Sequence, residues 1–197
     1  MIPKSKPQAT KDAVIDMLID QGLWTNRDLN SVVVVGIRGY YLDSMGAEGK
    51  NDRGIYDDAF FIISPTHFES FNGNTDPSRI RQGMAMLEAP QVIIYQPGWH
   101  GYGKKSGHQA FRQSSDVVVM RDGNIGNGKY LGGNRFRDSA SNRFWTNLHR
   151  GGNSGTSSEG CQTLPVTQWS DFEKTLMAQL KKYNQDSFKY YLIENKK

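Results

Sequence analysis

Cys161 is the single cysteine of a 197-residue chain, and His149 precedes it by twelve positions. Between them runs Arg150-Gly151-Gly152-Asn153-Ser154-Gly155-Thr156-Ser157-Ser158-Glu159-Gly160, almost all of it small or polar. Cysteine with histidine is a nucleophile and a base. The thiolate is the attacking species, and a free thiol ionises near about 8.5. A neighbouring imidazole can take that proton and leave a thiolate–imidazolium pair. Small residues ahead of the cysteine let backbone N–H groups around Gly160 and Cys161 reach a substrate carbonyl. Such an oxyanion hole is worth roughly 3–4 kcal/mol per donor. The roles read from these residues are Cys161 as nucleophile and His149 as general base. A plainer reading stands beside them: a lone cysteine is more often a small buried hydrophobe, and Cys/His pairing is spatial rather than sequential.

Something must bring the two together. Arg143-Phe144-Trp145-Thr146-Asn147-Leu148-His149 alternates as a strand does. It predicts Phe144, Thr146 and Leu148 on one face and Trp145, Asn147 and His149 on the other. The histidine then ends a strand, and the glycine-rich loop returns the cysteine towards it.

Ser158-Glu159-Gly160-Cys161 resembles the nucleophile motif of the L,D-transpeptidase family, commonly Ser-His-Gly-Cys or Ser-x-Gly-Cys. That family carries an upstream histidine on a strand, usually followed by glycine; here His149 is followed by Arg150-Gly151. The wider pattern resembles a phage and prophage branch of cell-wall hydrolases of the lysin kind. Its marks are Asn51 to Asp58, Phe71 to Ser78 and Asn147 to Pro165, within a resemblance covering about residues 32–193. The resemblance implies a mainly β fold and a Cys-His pair oriented by a backbone carbonyl. It also implies acyl-enzyme chemistry on peptidoglycan stem peptides, next to D-amino acids, with no metal. Three features depart from the family pattern: Glu159 stands where many members have a second histidine, Gln162-Thr163 follow the cysteine, and the His-to-Cys spacing is short.

Composition bounds the other classes. A chain of this length is most simply one domain with a sizeable core. Hydrophobic content of 37% with 11% aromatics argues against disorder, and 21 glycines favour a turn-rich β architecture. A net charge of +4 is a mild bias that suits an anionic envelope. No basic stripe, zinc-ligand spacing or RNA-binding signature points to nucleic acid. One cysteine excludes an intramolecular disulfide. No apolar run approaches a membrane span, and no signal-peptide core follows the charged Met1-Ile2-Pro3-Lys4 start. The expectation is a protein made in the cytoplasm without a signal peptide and without stable membrane insertion. It acts at the cell wall, in the periplasm, after release through a holin or a secretion system.

Along the chain, residues 1–9 read as a flexible arm, and Thr10 caps a helix to about Gln21 with Val14, Ile15, Leu18 and Ile19 as its stripe. Residues 1–30 thus form an arm and helix packed on a catalytic domain spanning 31–197. Strands are expected at 31–37, 59–63, 91–95, 116–120 and 187–193. A helix follows Pro165, capped by Thr167 or Ser170, with Trp169, Phe172, Leu176, Leu180 and Tyr183 facing the core. Asp52, Arg53, Asp57 and Asp58 suggest a salt-bridged loop under the site with Arg53 as its cation; the alternative is an acid/base or cation-binding cluster. The 71–79 loop is either a peptide-binding loop or an ordered turn. The 96–108 loop is either an aromatic, basic lid over the wall or a long hairpin. His100 and His108 within it are potential metal ligands without a third ligand at recognisable spacing. The Gly/Asn/Arg segment 121–142 lacks the residues that would close a phosphate or calcium loop.

The expectation is an α+β, β-rich protein with an L,D-transpeptidase-like β-sandwich or sheet core and flanking helices. It is a cysteine-dependent stem-peptide hydrolase, endolysin-like, using no cofactor and no metal. Ser158 and Gly160 shape the turn, and Arg150, Gln162 and Glu159 lie on the substrate side, with Arg150 gripping a carboxylate. The alternatives are a cross-linking L,D-transpeptidase and a catalytically disabled wall-binding protein.

Overall fold

A computed structural model of the chain describes residues 1–123, 125–126, 129–130, 136–141 and 143–195. In chain order these form α1 (Lys11–Asp20), a short 3-10 turn (Asp28–Asn30), β1 (Val33–Arg38), β2 (Asp58–Ser64), β3 (His67–Gly73), β4 (Ala85–Leu87), β5 (Gln91–His100), β6 (His108–Gln113) and β7 (Val117–Arg121). There follow β8 (Ile125–Gly126), β9 (Lys129–Tyr130), β10 (Phe136–Ala140), β11 (Leu148–Arg150), β12 (Gln162–Leu164), α2 (Val166–Lys182) and β13 (Phe188–Glu194). The architecture is α+β and β-rich. Of the segment 121–142, residues 124, 127–128, 131–135 and 142 lie outside the described residues, as do 196–197 of the tail.

Eight strands form one sheet in the order β12-β11-β6-β5-β13-β1-β2-β3. Only the β1–β13 and β11–β12 neighbours are parallel. The sheet curls until its two edges meet: Asn74, just past β3, pairs with Thr163 of β12 through two 2.8 Å backbone hydrogen bonds. That near-closure joins the loop after β3 to the strand that follows Cys161. A second sheet, β10-β7-β4, is antiparallel throughout.

The core explains why the central strands read as unbroken apolar runs. Strands β1, β2 and β13 are covered on both sides, so alternation is absent. On one side Val34, Phe60, Ile62, Tyr190 and Leu192 pack with Trp169, Phe172, Leu176 and Leu180 of α2. On the other, Val33, Val35, Phe61, Ile63 and Tyr191 pack with Val14 and Leu18 of α1. Helix α1 begins as expected, with Thr10 Oγ1 accepting from Ala13 N at 3.2 Å, and ends before Gly22, whose positive φ of 68° terminates it. Ile19, assigned to its apolar stripe, is exposed instead.

Several expectations are corrected. The 1–9 arm is tied down: Pro7 O accepts from Ser70 Oγ at 2.8 Å, and Ala9 N donates to Tyr40 Oη at 3.0 Å. Helix α2 starts one residue after Pro165 with no side-chain cap, because Pro165 O accepts from Gln168 N and Trp169 N; Thr167 and Ser170 are already inside it. Residues 67–73 are a strand, joined to β2 by a two-residue Pro65-Thr66 turn. Strand β5 runs on to His100, so the 96–108 loop shrinks to the tip of the β5–β6 hairpin. The strand expected over 143–149 is only Leu148–Arg150, since Trp145 takes a φ of 68° and breaks the extended run.

Candidate active site

Strand register builds the site. In the parallel β11–β12 pair Leu148 lies beside Gln162 and His149 beside Thr163. Gln162 N donates to Asn147 O at 2.8 Å, so Cys161, one residue before β12, sits level with Asn147. Alternation then puts Asn147, His149, Cys161 and Thr163 on one face. Leu148 pairs with Phe111 of β6 and both point into the core, which sends His108 to the face of His149. His100 pairs with His108 across the hairpin and joins them. Three histidines and the cysteine meet by strand geometry alone.

The His149 ring is buried and stacks on His100, with centroids 4.0 Å apart and planes 18° apart; His108 lies tilted by 58° at 5.3 Å. His149 Nδ1 is 2.6 Å from Arg150 O. A carbonyl only accepts, so Nδ1 carries the proton and Nε2 keeps its lone pair. The Cys161 thiol donates to Trp145 O at 3.6 Å. One ring nitrogen each of His100 and His149, together with Cys161 Sγ, lie within 4.8 Å of one another.

Electrostatics favour neutral groups. Burial, with His100 next and His108 after it, pushes the His149 imidazolium down to about 3, against the pull of the Arg150 carbonyl. Burial pushes the Cys161 thiol up to about 11; a backbone hydrogen bond from Asn147 opposes this, and Glu159 adds to it. His100 is lowered as well, by burial and then by His108 and Lys104. Both shifts favour the neutral thiol and imidazole over a thiolate–imidazolium pair.

The loop between His149 and Cys161 is held from outside. Ser78 N donates to Ser158 O at 2.8 Å, Ser158 N to Ser78 Oγ at 2.7 Å, and Ser78 and Thr156 share a 2.6 Å hydroxyl contact. Two glycines are required. A Cβ on Gly151 would fall 1.9 Å from Tyr56 Oη, and Gly160 has φ 133° with a Cβ position 2.6 Å from Ala85 O. Ser158 Oγ donates to Cys161 O at 2.7 Å and accepts from Gly160 N at 3.0 Å. The Gly160 N–H, assigned to the oxyanion, is thus already engaged. The Cys161 N–H has no backbone partner among the described residues.

The remaining assigned residues divide. Arg150 is half-buried beside the base. Glu159 is exposed and pairs with Arg81 at 3.1 Å. Glu159 and Arg81 line a groove of about 650 Å³ with Arg79, Met84, Thr156 and Ser158; Arg150, His149 and Cys161 are not among its lining residues. Gln162 does not face a ligand: it is fully buried, accepts from Tyr190 Oη at 2.9 Å and donates to Gly160 O at 3.2 Å. It braces the loop from beneath. The acidic cluster is also rearranged. Arg53 makes a bidentate pair with Asp122, whereas Asp58 accepts from Gly39 N and Thr75 N, and Arg38 pairs with Asp76 at 3.1 Å.

His100 and His108 are the site residues that sequence reasoning did not join to the Cys/His pair; alternation places Asn147 and Trp145 on the face of His149 but gives them no role. The available signal was the eight-position spacing of His100 and His108 about a Gly-rich tip, which in a hairpin that pairs them puts both on one face. Trp145 is partly exposed on the rim, stacked under Arg112 at 4.0 Å. No helix among the described residues is long and apolar enough to cross a membrane. Comparison with protein-family models, curated proteins and solved structures gives no match.

Proposed function

We propose that the chain is a cysteine-dependent acyl-transfer enzyme acting on peptidoglycan stem peptides, with an L,D-transpeptidase-like fold and chemistry. One observation carries the reading: His149, its Nδ1 tied to the Arg150 carbonyl at 2.6 Å, shares a face of the sheet with Cys161. In the mechanism Nε2 of His149 takes the thiol proton as Sγ attacks a carbonyl carbon. The neutral resting pair makes proton transfer and attack concurrent, and no thiolate accumulates beforehand. The tetrahedral oxygen is held by the Cys161 N–H. Collapse passes the proton from the imidazolium to the leaving amine and leaves a Cys161 thioester. Water then attacks the thioester, with His149 again as base, and releases the shortened peptide. Arg79 and Arg81 in the groove beside Glu159 give the carboxylates of a stem peptide their partners.

The preferred outcome is hydrolysis in a phage-lysis setting, the protein being made in the cytoplasm and acting on the wall after release. An acceptor amine in place of water would make the same thioester a cross-link. Mass spectrometry of peptidoglycan incubated with the protein and with Cys161→Ala tests this. Shortened or unlinked stem peptides that depend on Cys161 are expected. New cross-links would turn the reading to transpeptidation, and no Cys161-dependent change would refute it.

A further inference from the structure

We propose that His100, His149 and Cys161 form a binding site for a borderline-soft divalent ion of the zinc class, and that occupancy blocks the thiol. The donors are one thiolate sulfur and two imidazole nitrogens, a set that suits zinc and disfavours magnesium or calcium. They come from three separate places in the sequence, the end of β5, the middle of β11 and the loop before β12, and converge to within 4.8 Å. Tetrahedral zinc with bonds of about 2.0–2.3 Å needs donors about 3.3–3.8 Å apart.

The surroundings are those of a ligand set. A metal-bound histidine usually gives its other ring N–H to a carbonyl or carboxylate, which fixes the tautomer. His149 does so to Arg150 O at 2.6 Å, which leaves Nε2 for the ion. His100 Nδ1 lies 3.2 Å from the Asn147 side-chain amide, whose buried Oδ1 has no hydrogen-bond partner among the described residues. Turning that amide over lets Oδ1 accept from Nδ1–H and frees Nε2 of His100 as well. In the acyl-transfer steps His100 neither attacks nor carries a proton, though it stacks on His149, so metal binding is read at this residue without reference to turnover.

Binding conserves charge and electrons. The hydrated ion exchanges waters for two neutral imidazoles and the Cys161 sulfur, the thiol proton goes to solvent, and nothing is oxidised or reduced. A water keeps the fourth position. Sulfur bound in this way cannot attack a carbonyl. The inhibitory consequence rests on the proposed role of Cys161; the binding itself does not.

The test uses the full chain without any peptidoglycan. Cobalt(II) is titrated as a spectroscopic probe, and zinc is measured by competition with a chromophoric chelator, for the native protein, His100→Ala and Cys161→Ser. Expected are one equivalent bound, a thiolate-to-cobalt charge-transfer band that zinc abolishes, and zinc affinity lower by more than about 100-fold in His100→Ala. His100→Ala in chelator should still be alkylated at Cys161 by iodoacetamide, which shows that the loop is intact. Zinc should stop that alkylation in the native protein. Absence of the charge-transfer band, or equal zinc affinity in His100→Ala, would overturn the proposal. Neither outcome depends on whether stem peptides are substrates.

Discussion

The carbonyl oxygen of Arg150 lies 2.6 Å from Nδ1 of His149, the residue before it, and so sets which nitrogen of the ring is basic. A backbone acceptor cannot be removed by mutation, but the ring can. His149→Ala should reduce turnover by about 10²–10⁴-fold, the usual contribution of a general base. Its urea midpoint should also fall, because the ring is buried, stacks on His100 and donates to the Arg150 carbonyl, so truncation leaves a cavity and an unpaired acceptor. Steady-state kinetics with a stem tetrapeptide checks the first part and chemical denaturation the second.

A neutral thiol has a distinct pH signature. With Cys161 pushed up to about 11, the thiolate fraction rises about tenfold per pH unit across the neutral and alkaline range. Alkylation of the metal-free protein by iodoacetamide should follow that slope from about pH 7 to about pH 10. A plateau at neutral pH would reveal a preformed ion pair instead.

Gly160 has φ 133°, and any Cβ there meets Ala85 O at 2.6 Å. Gly160→Ala should therefore cost about 1–3 kcal/mol of stability from backbone strain alone. It should also slow Cys161 alkylation by shifting the loop. Thermal unfolding and alkylation measured together separate the two effects.

Asp57 supplies a pH effect on folding. Burial pushes its carboxyl up to about 7; the Asp52 backbone N–H opposes this, and the Asp76 and Asp52 charges add to it. The folded state therefore holds a proton that the unfolded state, with an ordinary carboxyl near 3.8, has already released. This contribution is fully present below about pH 4 and is lost as pH rises through about 7. Asp57→Asn should flatten the decline of stability between those values and make the variant more stable than the native protein at pH 8. Urea unfolding at several pH values reads this directly.

How much the sequence reveals depends on what each element buries. Strands β1, β2 and β13 are covered on both faces, and their apolar runs mark them plainly. Strand β3 is half-covered and carries His67, Glu69 and Asn72, so its polar residues read as loop. Strands β11 and β12 have three residues each, too few to show a period, and Trp145 broke the longer run that alternation suggested. Cys161 and His149 were legible because a Gly/Ser loop joins them closely in sequence. His100 was not, since its nearness comes through the β5–β6–β11 pairing, a long-range register. Gln162 was misplaced because residue type cannot tell a glutamine facing a ligand from one bonded to the buried Tyr190 hydroxyl.

The most direct test of the account is intact-protein mass spectrometry of the chain after incubation with a stem tetrapeptide ending in a D-amino acid and an acid quench. The account predicts an added mass equal to the acyl fragment, located on Cys161, sensitive to hydroxylamine and absent from Cys161→Ala. Peptide turnover with no adduct on Cys161, or turnover that survives in Cys161→Ala, would contradict nucleophilic catalysis at this site.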